Sequence, residues 1–266
     1  MPKTILLTGS TDGIGLETAK LLVAQGHTVL LHGRNSTKLE KVKTLLSAEG
    51  GQVESYGADL SRMADVELLA QAVAANHTHL DVLINNAGVF KTGSPITEDG
   101  LDVRFVVNEI APYLLTQRLL PLMDKSGRVV NVSSAAQSPV DPQALTGKIR
   151  LSQDFAAYAQ SKLALTMWSR VLALKENSPV IVAVNPGSML GSKMVKQAFG
   201  VAGGDIGIGA DILTRAALSD EFKTASGQYF DNDSGQFAPP HPDALNPQKS
   251  EEIVRTIEAT LATLLP

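Results

Sequence analysis

The stretch KTILLTGSTDGIGLETAKLLVAQG, Lys3–Gly26, decides the fold. It opens as a short apolar run, turns through Gly9, Gly13 and Gly15, and continues with apolar residues at helical spacing until Gly26 stops it. Glycine lets the chain turn tightly and lets a phosphate approach the backbone. The helix N-terminus that follows offers free N–H groups and a partial positive charge. A plain strand–helix turn that wanted glycine reads the same way, but a first strand feeding a first helix favours nucleotide binding. No Lys-Ser/Thr follows the last glycine, which argues against a phosphate-hydrolysing P-loop.

The same alternation runs outward from this unit. HTVLLHG reads as a second strand, and STKLEKVKTLLSAEG as a helix opened by Ser36 and closed by Gly50. GQVESYGAD, DVLINNAG, GRVVNVSS, PVIVAVNPG and GQYFDN read as further strands, with helices at about 64–75, 101–123 and 155–175 between them. Strands apolar throughout suit a sheet covered on both faces, and repeated β-then-α order predicts a single α/β domain over 1–266 with a doubly wound parallel sheet. Two irregular stretches, AAQSPVDPQALTGKIRLSQD and PGSMLGSKMVKQAFGVAGGDIGIG, follow the fifth and sixth strands, on the edge where such sheets bind ligands. NPQKSEEIVRTIEATLATLL predicts a C-terminal helix over about 247–265, with Asn246 as cap and Pro247 in its first turn.

Composition narrows the function classes. The 266 residues carry a net charge of −4, which gives no basic field for nucleic acid or an anionic membrane. Cysteine is absent, so disulfides, thiolate catalysis and cysteine-ligated metal are excluded. His77 and His79 lack a third ligand in view, and no metal site is expected. No apolar run reaches the length of a secretory leader or a membrane span, which predicts a cytoplasmic protein without membrane insertion.

Chemistry-bearing residues fall at the strand ends. The second strand ends in Gly33-Arg34, where NAD-preferring folds place a carboxylate. Arg34 suits a 2′-phosphate, and Lys38 adds a second positive charge, although Asp12 in the glycine loop opposes them. Asp59 sits near where an adenine would lie, or caps a turn. Asn85–Gly88, NNAG, ends the fourth strand and also reads as a turn. Asn108 lies in an otherwise apolar helix, and Pro112 four residues on removes an N–H and bends it. That asparagine either hydrates a kink or holds a water at its neighbouring backbone. Ser133 and Ser134 end the fifth strand without the G-x-S-x-G of a hydrolase. Tyr158 and Lys162, in YAQSK, stand one helical turn apart: either a packing tyrosine beside a snorkelling lysine, or a proton donor tuned by a cation.

In this order the motifs resemble the short-chain dehydrogenase/reductase family over nearly the whole chain. The resemblance rests on TGSTDGIG (Thr8–Gly15), NNAG, Asn108, NVSS (Asn131–Ser134), YAQSK (Tyr158–Lys162) and NPG (Asn185–Gly187). It implies a Rossmann-type sheet of seven strands and hydride transfer between a nicotinamide and an alcohol or carbonyl. Tyr158 would be the general acid in reduction and general base in oxidation, with Lys162 on the nicotinamide ribose favouring the tyrosinate. Ser134 would orient the substrate oxygen, and Asn108 would help hold a proton-relay water. The cofactor, NADP(H) in preference to NAD(H), would touch Gly9, Ser10, Thr11, Gly13, Ile14, Gly15, Arg34, Asn35, Lys38, Asp59, Leu60, Asn86, Ala87, Gly88, Tyr158, Lys162, Pro186, Gly187 and Ser192, the last standing where the family usually has threonine.

One further departure stands out. Twenty-four positions separate Ser134 from Tyr158, about twice the family's usual gap, and members resembling retinol dehydrogenases carry such an insertion. Helices 101–123 and 155–175 are apolar on more than one face, which predicts a homodimer or homotetramer. The apolar, glycine-jointed segment from Ser188, taken to about 226, predicts a lid over a fairly hydrophobic small-molecule substrate. A non-catalytic NAD(P)-binding regulator and a sugar epimerase or dehydratase are the alternatives. The first needs no Tyr158–Lys162–Ser134 set. The second has a different glycine spacing and a larger C-terminal domain.

Overall fold

A computed structural model describes residues 1–265. The strands are β1 Thr4–Leu7, β2 Thr28–Gly33, β3 Gln52–Gly57, β4 Val82–Asn85, β5 Arg128–Val132, β6 Val180–Asn185, β7 Tyr229–Asp231 and β8 Gln236–Ala238. They form one sheet in the order β3-β2-β1-β4-β5-β6-β7-β8. The first seven run parallel; β8 pairs antiparallel with β7, so the seven-stranded expectation is one strand short. That strand follows a tight turn closed by Gly235 at φ 69°, a hairpin signal in DNDSGQFA.

Ten helices cover the sheet among the described residues: α1 Gly13–Ala24, α2 Ser36–Ala48, α3 Met63–Asn76, α4 Val103–Phe105, α5 Ala111–Leu119, α6 Pro142–Leu145, α7 Asp154–Ala173, α8 Lys193–Phe199, α9 Gly207–Leu218 and α10 Pro247–Leu264. Alternation along each strand divides the core. Leu6, Leu30, Leu83 and Val129 pack against α3, α5 and α7, while Ile5, Leu7, Val29 and Leu31 face α1 and α9. β3 is an edge strand, and its Gln52 and Glu54 show why it is not apolar throughout.

Three sequence expectations change. The helix over 101–123 is interrupted by a π-helical turn, Val106–Ile110, between α4 and α5. Pro112 cannot donate to the carbonyl of Asn108 four residues back, and the wider π turn absorbs that break. The cap of α2 is Asn35, whose side chain accepts from the Lys38 N–H, rather than Ser36. The expected lid, about 188–226, divides: α8 and its flanking turns stand at the cavity, but Ile212, Leu213 and Ala216 of α9 are fully buried in the core. The lid portion is also folded, pinned where Gly191 N–H donates to the Gly204 carbonyl at 2.7 Å.

The second apolar face of α7 is covered within the chain. α10 packs on α7, and its Ile253, Val254, Ile257 and Leu261 join the core that holds Leu165, Trp168 and Leu172. α5 is covered by α3. The homo-oligomer expectation loses the exposed faces on which it rested. No described helix is long and apolar enough to cross a membrane.

Candidate active site

The strand order turns between β1 and β4, where crossovers leave in opposite directions and open a crevice at the strand C-termini. A cavity of about 1220 Å³ lies along this edge. At one end, Gly13 opens α1 at φ 60° with nothing but Ile206 near the place of a Cβ. Gly9 and Gly15 are needed for packing: a Cβ on Gly9 would lie 2.9 Å from Ala87 Cα, and one on Gly15 would lie 2.2 Å from the Gly9 carbonyl oxygen. Asn86 locks the same turn, its amide donating to the carbonyls of Thr8 and Gly9 at 2.9 and 3.2 Å.

His32, absent from the sequence reading, anchors this loop from β2. Its Nδ1 accepts from the Gly9 N–H at 3.1 Å, and its Nε2 stands 3.1 Å from the Ala58 carbonyl, which fixes the neutral Nε2–H tautomer. Burial pushes its pKa down to about 4. A histidine inside an apolar strand was the available signal.

Arg34 is exposed and lines the cavity beyond the glycine loop. Lys38 lines it too, and its ammonium pairs with Asp12 of the glycine loop at 3.1 Å in a solvent-exposed ion pair. Thr11, Ile14, Asn35, Asp59, Leu60, Ala87, Gly88, Pro186 and Gly187 also line the cavity. Asp59 caps a turn as well, accepting from the Ser61 N–H. Ser192 lines it too, and its hydroxyl caps α8, accepting from the Val195 N–H. Ser10 does not reach the cavity: its buried hydroxyl donates to the His32 carbonyl and accepts the His32 N–H, tying β1 to β2.

Tyr158, Lys162 and Ser134 gather at the other end. Ser133 points away and is bound to Thr166 at 2.7 Å. The Ser134 oxygen accepts from the Ala136 N–H at 3.1 Å, which leaves its own proton free to donate. Lys162 is buried, its Nζ donating to the Val132 carbonyl at 2.6 Å and lying 5.7 Å from the Tyr158 ring centroid. Burial lowers its pKa to about 8. The expectation that this cation lowers the phenol is not met by the chain alone. Burial raises Tyr158, and the neighbouring Ser134 hydroxyl opposes it. The site therefore holds a protonated phenol beside an ammonium.

Asn108 lies behind the cavity rather than on it. Its side chain accepts from Val89 N–H at 2.7 Å and donates to the Val89 carbonyl and to Ser161, splicing the loop after β4 onto α7. Around Tyr158 the cavity wall also includes Phe90, Phe155 and Phe199, which sequence reasoning missed; Phe90 stands two residues after NNAG. Met189, also on the wall, adopts φ 54°, a strained left-handed backbone. Among the described residues no cluster of His, Asp and Glu fits a metal.

The donor set fits a dinucleotide: a helix N-terminus at one end of the cavity, an exposed arginine beside it, and the Tyr158–Lys162–Ser134 group at the other end. A family model described as short chain dehydrogenase matches residues 3–202. Retinol dehydrogenase 13 of Homo sapiens is 29% identical over 285 residues, spanning 99% of this chain and 84% of that protein. Retinol dehydrogenase 12 of Mus musculus is 32% identical over 245 residues, spanning 86% and 77%. The solved structure of the angucycline C-6 ketoreductase LanV with bound NADP matches with a TM-score of 0.70 at 26% identity, covering 86% of this chain and 93% of that one.

Proposed function

The chain belongs to the short-chain dehydrogenase family and is an NAD(P)-dependent oxidoreductase, and on that premise we propose that it uses NADP(H) to interconvert a fairly hydrophobic small-molecule carbonyl and its alcohol. The observation that carries this reading is the convergence of Tyr158, Lys162 and Ser134 on the cavity whose far end is the α1 N-terminus and Arg34. The nicotinamide, when bound, supplies or accepts the hydride. In reduction the Tyr158 phenol gives its proton to the carbonyl oxygen, and in oxidation it takes one back. Ser134 donates a hydrogen bond to the same oxygen. Lys162 keeps a positive charge beside the phenol that stabilises the phenolate left behind. Asn108 is a positioning residue through Val89 and Ser161. Arg34 takes the 2′-phosphate. The turns around α8, from Ser188 to Gly204, serve as the lid over the cavity, and the catalytic unit is a single cytoplasmic chain.

The test is a panel of carbonyls and alcohols with NADPH/NADP⁺ and NADH/NAD⁺. Tyr158→Phe is expected to lower kcat by about 10²–10⁴-fold, and Arg34→Glu to weaken NADPH by about tenfold or more while sparing NADH. Unchanged turnover in Tyr158→Phe would remove the catalytic assignment, and an NADH preference in the unaltered chain would remove the role of Arg34.

A further inference from the structure

We infer that Phe90 sets the substrate class of this site, selecting a carbonyl or secondary alcohol bonded directly to a flat aromatic ring over a saturated ring of the same size; the inference rests on the reading above. Phe90 leaves the C-terminal edge of β4 and is the hub of a ring cluster. Its centroid lies 4.8 Å from that of Tyr158 at an interplanar angle of 68°. Phe199, from the end of α8, stacks on it at 5.7 Å and 22°. Phe155, from the start of α7, meets it edge-on at 6.3 Å and 84°. All four rings line the one cavity.

The geometry constrains what can react. The Phe90 and Tyr158 rings are in contact and line one cavity, so a ring bonded to the reacting carbon lies on the wall that Phe90 organises. Aromatic rings are negative on their faces and positive at their edges, so offset-stacked and edge-on pairs gain beyond the area they bury. Phe90 holds two exposed rings in place, Phe199 stacked on it and Phe155 edge-on to it, and these offer a ligand aromatic surface in both orientations. A saturated ring is thicker and lacks that charge pattern, so it gains from area alone. Phe90 is 8% exposed, whereas Phe155 and Phe199 are 52% and 50% exposed. The half-open rings leave apolar surface on the cavity wall beside the buried Phe90, available for a bound ring to cover. Met194 adds a polarisable thioether to the same wall. Lys91 and Lys193 line the same cavity, and their charge disfavours cationic rings there while accepting neutral or phenolic ones.

The experiment compares acetophenone with cyclohexyl methyl ketone, a pair of equal carbon count, in the full chain and in Phe90→Leu. With NADPH, kcat/KM is expected to favour the aryl ketone about tenfold, the order an aromatic contact or two is worth, and Phe90→Leu to bring the ratio to about twofold. NADPH affinity measured on both proteins reports that the variant is folded. Binding of the two ketones is measured separately by NMR titration, which needs no turnover. Equal turnover of both ketones by the unaltered chain, or an unchanged ratio in Phe90→Leu, overturns the inference while leaving the oxidoreductase reading intact. Absence of turnover with either nicotinamide counts against the functional reading instead, and the titration still decides: tighter aryl binding that is lost in Phe90→Leu supports the wall, and equal binding of both ketones overturns it.

Discussion

Tyr158 and Lys162 stand one turn apart, and burial moves them in opposite senses. The phenol is raised and the ammonium is lowered to about 8. Both are protonated at neutral pH, the state that reduction needs. The kcat/KM for NADPH in carbonyl reduction, which reports the free enzyme, is therefore expected to hold below pH 8 and to decline as pH rises through it. In Lys162→Met, kcat falls by about 100-fold and the break near pH 8 disappears; a pH–rate series on both proteins checks this.

Two other buried groups oppose each other in stability. The native His32 prefers to be neutral, with its pKa near 4 against 6.5 unfolded, so it contributes stability that is lost as pH falls from 6.5 towards 4, on the order of 3 kcal/mol in full. Glu109 is fully buried, with neither carboxyl oxygen hydrogen-bonded among the described residues, and burial raises its pKa well above the carboxylate range. Its native form holds a proton that the unfolded form releases, so its contribution is lost as pH rises above about 4.3. Glu109→Leu is expected to stabilise the protein by about 1–3 kcal/mol, with a larger rise in melting temperature at pH 8 than at pH 5. Residue types at the site were legible in the motifs. Their protonation was not, because it depends on burial that only the packed chain supplies.

At the scale of elements, the join between α4 and α7 holds the reactive helix in place. Arg104 is buried, paired with both oxygens of Asp102 at 2.8 and 2.6 Å, and also bound to Asp154. Asp154 is the first residue of α7, one turn before Tyr158. Arg104→Met leaves Asp102 unpaired in a buried place and is expected to destabilise the fold by about 3–5 kcal/mol, read by denaturant unfolding. In the folded fraction kcat drops while NADPH affinity holds. Most helices were readable from apolar spacing. The π turn was not, because Pro112 marks a break without saying whether the helix kinks or widens. The edge strand β8 escaped because a three-residue strand carries too little pattern.

For the molecule as a whole, the β-then-α order was enough to foresee a parallel, doubly wound sheet, since right-handed crossovers leave few other solutions. The state of association was not legible. An apolar helix face looks alike whether a second copy or a later segment covers it, and here α10 does. A monomer is the expected species in light scattering after size exclusion. Ile257→Asp, placed in the α7–α10 core, is expected to cost about 3–5 kcal/mol and to make the protein associate as the face of α7 is uncovered; a stable, monomeric variant would show that α10 is dispensable as a cover.

Two of the rings around Tyr158, Phe90 and Phe199, come from segments outside α7, while Phe155, the tyrosine and the lysine ride together on that one packed helix. Selection can therefore retune what the enzyme accepts by changing either of two segments that lie outside the helix bearing the proton-handling pair. Divergence among descendants of such a chain should concentrate at positions 90 and 199 long before it reaches 158 and 162.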